Sequence, residues 1–232
     1  MSNFSQRYGL LSLIALIAIC LPIEVFAHGV DESTRAFLQQ NTGVQIMPFL
    51  YIGAKHMVTG YDHLLFIVGV IFFLYKSRDV LLYVSMFTLG HSITLLFGVI
   101  SDIQVNAYLI DAIIGFSVVY KGFDNLGGFT QFFGKSPNTK LVVLLFGLFH
   151  GFGLATKLQE FQLPDDGLIA NLIAFNVGVE LGQFTALAFI LLVINYWRTH
   201  SSFIRFSIMT NGLLMSAGFM LVGFQLTGYF VS

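Results

Sequence analysis

Long apolar runs separated by short polar stretches make up most of the chain. Beyond the N-terminal region they lie at residues 57–76, 79–100, 105–121, 140–158, 168–196 and 206–230. Each run is about long enough for a helix that crosses roughly 30 Å of hydrocarbon. None shows the apolar–polar alternation of a barrel strand, and lipid cannot satisfy unpaired backbone groups. The pattern therefore predicts an all-α polytopic membrane protein, with about six transmembrane helices in one bundle.

The N-terminal residues 1–27 have the pattern of a secretory signal peptide. Arg7 provides a positive n-region, and residues 10–19 form a short apolar h-region. The sequence Val25-Phe26-Ala27 places small residues at the positions that a signal peptidase reads. An uncleaved first membrane helix is the alternative interpretation.

Cleavage after Ala27 makes His28 the mature N-terminus. Residues 28–55 then form a periplasmic N-terminal segment, and residues 56–232 form the transmembrane bundle. The α-amine and imidazole of His28 would together be able to chelate a metal ion. The mature chain has no cysteine, because Cys20 is the only one in the sequence, which excludes disulfides and thiolate metal sites.

Composition and charge agree with a membrane protein. The chain is 56% hydrophobic and only 10% charged, with a mean hydropathy of +0.81, so it cannot cover a soluble surface. A formal net charge of −1 gives no basic field for nucleic acid. With the mature N-terminus outside, the predicted cytoplasmic loops hold Lys76, Arg78, Lys121, Lys135, Lys140, Arg198 and Arg205, and the outer connections hold Arg35, Lys55 and Lys157. This bias predicts a bacterial inner-membrane protein with a periplasmic N-terminus.

Ionisable residues recur inside the predicted helices. His56 and His63 are seven residues apart, so they share one face of the first helix, with Asp62 beside them near its outer end. His91 and His150 lie roughly 12–14 Å from the outer ends of the second and fourth helices. Further candidates are Asp111, near the outer end of the third helix, and Glu180, in the middle of the fifth.

Charged groups at such depths are costly, so they normally face the bundle interior and find partners. Small residues beside the histidines allow close helix packing. Convergent neutral imidazoles with one or two carboxylates suit zinc, nickel or a related divalent ion. Asn176, Glu180 and Gln183 form a polar stripe on the fifth helix, which supports such a site or serves as a structural hydrogen-bond network.

Four motifs on successive helices resemble the HupE/UreJ family, in its second, broader branch: HMVTGYDHLLF, FTLGHSITL, FGLFHGFGLA and FNVGVELGQ. The resemblance covers roughly residues 45–195. The family usually opens with H-P-x-x-G-x-D-H, and here Met57 replaces the proline. It also usually carries Glu at the place of Asp111. Members near hydrogenase and urease genes are regarded as nickel permeases, and His56, Asp62 and His63 match the residues assigned to that role.

Three hypotheses follow. The first is a permease for a divalent transition metal such as nickel, in which His56, Asp62 and His63 capture the ion and His91 and His150 hold it. In this hypothesis Asp111 and Glu180 neutralise its charge. The second is a membrane-embedded zinc hydrolase with a three-histidine site and Asp62 or Asp111 as general base. The third is a metal chaperone or assembly factor without turnover.

Overall fold

The computed structural model describes residues 43–159 and 166–231, and every regular element in these ranges is a helix. The helices are α1 (Ile46–Thr59), α2 (Tyr61–Ile71), α3 (Ser77–Ile100), α4 (Ala107–Asn125), α5 (Gly128–Phe133), α6 (Thr139–Gln159), α7 (Leu168–Arg198) and α8 (Ser202–Val231). The all-α prediction is confirmed. The signal peptide, His28 and Arg35 lie outside the described residues.

The first predicted helix, 57–76, is not one continuous helix. Gly60 has extended backbone, with φ −74° and ψ 103°, and it separates α1 from α2. His56 therefore lies at the end of α1 and His63 in the first turn of α2. The prediction that both share one face of a single helix was wrong, because the helical period is interrupted between them.

Together α1 and α2 run beside α7 in the same direction. The Asn171 amide, near the start of α7, accepts a hydrogen bond from Gln45 N and donates one to Gly43 O, just before α1. At the opposite end, Arg198 of α7 donates to Ile71 O and Phe72 O at the end of α2. The break at Gly60 therefore lies near the middle of the bundle and not at its edge. The end where α1 and α7 begin is named the upper end, and the end of α2 and α7 the lower end.

Glycines set the spacing between three helix pairs. A Cβ on Gly178 would meet Leu50 O, so α7 touches the backbone of α1. A Cβ on Gly147 would likewise meet Phe87 O, which brings α6 against α3, and one on Gly218 would lie 2.8 Å from Val119 N, which brings α8 against α4. The first two pairs are parallel and the third is antiparallel. Close packing through small residues, expected from the sequence, is confirmed.

Four of the described helices are long and apolar enough to cross a membrane: α3, α6, α7 and α8. The 19-residue α4 carries the ionisable residues Asp111, Lys121 and Asp124. Because α1 and α2 are 14 and 11 residues long, neither reaches across the bilayer alone.

Basic residues gather at the lower end, in the α2–α3 and α5–α6 connections and around the α7–α8 turn. Several of the residues placed in loops from sequence lie inside helices, among them Lys55, Lys121 and Lys157. Lys55 is inside α1. Lys121 is inside α4, where it is buried and donates to Asp124 at 2.7 Å.

Candidate metal site

Three buried residues lie where α2 begins and α6 reaches its midpoint. Asp62, His63 and His150 each offer a ligand atom such that these atoms all lie within 4.8 Å of one another. The rings of His63 and His150 have centroids 4.9 Å apart, and both residues are only 2% exposed. Donor atoms this close can reach one metal ion with small side-chain movements, since metal–imidazole bonds are about 2.0–2.1 Å long.

Asp62 fixes the orientation of His63. One carboxylate oxygen, Asp62 Oδ1, lies 2.8 Å from the backbone N of His63, which donates to it, and 2.9 Å from ring atom Nδ1. A carboxylate that accepts from one ring nitrogen of a histidine directs the other, Nε2, toward a metal and makes it more basic. Asp62 therefore acts on His63 as an orienting base, in addition to its own place in the cluster.

His150 is oriented by the backbone of its own helix. Its Nδ1 lies 2.7 Å from Phe146 O, and this carbonyl can only accept, so the proton resides on Nδ1. The lone pair is then on Nε2, which is buried and has no hydrogen-bond partner among the described residues. An imidazole nitrogen that is buried, directed and unbonded is costly to leave empty and suited to bind a metal ion.

A cavity of about 10 Å³ lies beside the two imidazoles. Its wall includes His56, His63, Asp111, His150 and Lys157. This volume accommodates about one water molecule or one bare ion. His56 also meets His63 edge to face, with ring centroids 5.2 Å apart. The structure thus brings His56, His63, His150 and Asp111 together around one cavity.

An ion pair lies in the upper wall of this cavity. Lys157 Nζ donates to Asp111 Oδ2 at 2.8 Å, and the two side chains are 13% and 7% exposed. The other carboxylate oxygen, Asp111 Oδ1, is buried and has no hydrogen-bond partner within the described chain. Sequence reasoning placed Lys157 in an outer connection. The sequence does contain a signal for its place at the site. Lys157 lies seven residues after His150, and residues seven apart share one face of a helix.

His91 is close to the cluster but not within it. It is buried, it stacks on Phe87 with centroids 6.2 Å apart, and neither ring nitrogen has a hydrogen-bond partner in the described residues. It is absent from the group of donor atoms that lie within 4.8 Å of one another. As a ligand it would need to move farther than His63 or His150.

Phenylalanines close the site on its lower side. The ring of His150 lies 4.8 Å from that of Phe87 and 5.9 Å from that of Phe66, and these two phenylalanine rings are 5.4 Å apart. Below them, a second cavity of about 10 Å³ is lined by both rings, by apolar residues, and by Tyr83 and Gln183.

The polar stripe predicted on the fifth helix is divided between two environments. Gln183 is buried and accepts from Thr88 at 2.7 Å, whereas Asn176 is buried and donates to Leu172 O of its own helix. Glu180 is exposed on the outer surface of the bundle, beside the exposed residue Leu181. It lies just past the edge of the buried face of α7, away from Gly178 and Gly182, which pack against α1.

Comparison of the chain with protein families gives one finding. The family model described as HupE / UreJ protein matches residues 32–232, which is most of the chain. Neither characterised proteins nor solved structures give a match. On the strength of the family match, the chain belongs to the HupE/UreJ family.

Proposed function

We propose that the protein is a membrane permease for a divalent transition metal, with nickel as the principal substrate. The observation that carries this proposal is the pair His63–His150, in which Asp62 and Phe146 O engage the Nδ1 atoms and a one-ion cavity adjoins both rings. Two imidazoles with nearby carboxylates suit nickel, cobalt and zinc. The HupE/UreJ family is associated with nickel and cobalt transport.

The position of the site supports transport. Many secondary transporters bind substrate near the bilayer midplane, where a helix is interrupted. Here α1 and α2 form one interrupted pass, and His56 and His63 flank the interruption at Gly60. A site at mid-depth can be exposed to either side of the membrane by modest helix movements, whereas a site at the outer end of the helices could not.

The helix pairing supports an inverted repeat. If α1 with α2 counts as the first of six passes, the first packs beside the fifth, the second beside the fourth, and the third beside the sixth. If the first, second and third passes are exchanged with the fourth, fifth and sixth, in that order, the same three pairs of neighbouring passes result. The exchange relates the first pass, which holds His63, to the fourth, which holds His150. Transporters often place their substrate between two such halves.

The basic lower end orients the protein. Positive residues favour the cytoplasmic side, so we place the upper end in the periplasm of a bacterial inner membrane. The ion then enters past Lys157 and Asp111, is held by His63 and His150, and leaves past Phe66 and Phe87 into the lower cavity. A constriction of aromatic rings can block an ion by excluding water until it opens.

Uptake into proteoliposomes tests the proposal. Vesicles containing the purified protein should accumulate Ni²⁺ under an imposed gradient, and the His150→Ala variant should not. His200→Ala is the matched control, because His200 is exposed at the lower end. Equal uptake by parent, His150→Ala and empty vesicles would refute a permease that uses this site.

One observation favours a second candidate, the membrane-embedded zinc hydrolase. Among the described residues Asp111 Oδ1 has no hydrogen-bond partner, and Asp111 lines the same one-water cavity as His56, His63 and His150. A metal-bound water at that place would have a carboxylate beside it as general base. Zinc-dependent cleavage of a lipid or peptide by protein that transports no metal would select this function.

A further inference from the structure

The Asp111–Lys157 ion pair holds a positive charge in the wall of a cavity built for a cation. The lysine ammonium and the imidazoles of His63 and His150 border the same space. Lys157 is seven residues above His150, which corresponds to about 10 Å along α6. Its ammonium binds Asp111 of α4, and both residues line the cavity together with His150.

Charge accounting shows what this lysine does to a divalent ion. Metal-binding imidazoles are neutral, so the charged groups around the site are Asp62, Asp111 and Lys157, with a sum of −1. Without the lysine the sum is −2, which matches a divalent ion. Lys157 thus weakens binding, both by direct repulsion and by occupying Oδ2 of Asp111.

The ion pair also blocks the upper route. Both side chains are largely buried, and their contact joins α4 to α6 above the histidines. An incoming ion meets Asp111 before it reaches His63 and His150. Asp111 Oδ1 has no hydrogen-bond partner in the described chain, so it can make the first contact while Oδ2 still binds the lysine.

We propose that Lys157 is a tethered competitor of the transported ion. It holds Asp111 while the site is empty, gives it up as the ion enters from the upper end, and returns as the ion leaves. This role rests on the proposed metal site. It keeps affinity low enough for release, because a substrate bound too tightly cannot be passed on.

Metal-binding affinity of purified variants tests this role. Lys157→Met keeps the apolar stem and removes the charge, and Lys157→Gln also keeps a hydrogen-bond donor for Asp111. Both should bind Ni²⁺ about tenfold more tightly than the parent, because a unit charge that repels the ion is removed from the wall of the cavity. Lys157→Arg should stay within about twofold of the parent, and so should Lys140→Met, which removes an exposed charge at the lower end.

In vesicles, the two neutral variants should saturate at lower Ni²⁺ concentration and have a lower maximal rate. Unchanged or weaker Ni²⁺ binding by Lys157→Gln would overturn the role of Lys157 and leave only a structural ion pair. A parent protein that binds no Ni²⁺ would instead refute the metal site itself, so the two failures are distinct.

Discussion

Gly60 lies between α1 and α2, and its missing side chain leaves room for His63. A Cβ at this position would be 2.7 Å from His63 Nδ1 and 3.3 Å from Asp62 Oδ1. Contacts below about 3.0 Å do not persist, so the Gly60→Ala variant must displace the imidazole or its carboxylate partner. The perturbation therefore acts on the orientation of a ligand and leaves every donor atom in the chain.

The expected loss follows from how His63 is held. A methyl group inserted beside Nδ1 must push the ring by several tenths of an ångström and lengthen its 2.9 Å contact with Asp62. Loss of such an orienting partner typically lowers metal affinity about 10–100-fold. We expect a decrease of that size in Ni²⁺ affinity for Gly60→Ala.

Isothermal titration with Ni²⁺ and a thermal unfolding curve, both in detergent, measure the two relevant quantities. Gly212→Ala is the matched control, because a Cβ on this helical glycine meets nothing within 4 Å. It should bind Ni²⁺ like the parent and be no less stable, since alanine favours helix by roughly 0.5–1 kcal/mol. A folded Gly60→Ala protein with parental Ni²⁺ affinity would refute the assigned role of His63.

Two further outcomes are expected. Asp62→Asn should lower Ni²⁺ affinity about 10–100-fold in the same titration, because a neutral amide holds the His63 ring less well; an unchanged affinity would contradict this role. Phe87→Leu should speed Ni²⁺ passage through vesicles and reduce discrimination against other divalent ions, whereas Phe224→Leu, at an exposed position, should leave both unchanged.

Much of the fold follows from local pattern, and the exceptions have a physical cause. The lengths of α3, α6, α7 and α8 are readable because each run is long and nearly free of charge. The break at Gly60 could not be predicted from the sequence, since a glycine among apolar residues is compatible with a continuous helix. Only packing against α7 shows that α1 begins at Ile46 and that the break lies at mid-depth.

The site was predictable in kind but not in arrangement. Buried histidines and carboxylates inside apolar helices must converge on partners, and His63, His150 and Asp62 do. Sequence alone does not reveal which face of a helix is buried when the polar residue lies at its edge. Glu180 is exposed for that reason. His91 is buried, but its ring lies outside the closest group, which depends on how the helices pack against one another. The position of Lys157 in the wall of the site was not predicted, because its partner, Asp111, lies on another helix.

X-ray absorption spectroscopy of the purified protein loaded with Ni²⁺ tests the central claim most directly. The claim is that His63 and His150 together hold the transported ion. The account predicts at least two imidazoles in the coordination shell of the parent protein and one fewer in both His63→Ala and His150→Ala. A shell of oxygen ligands alone in the parent, or a shell unchanged in both variants, would contradict it.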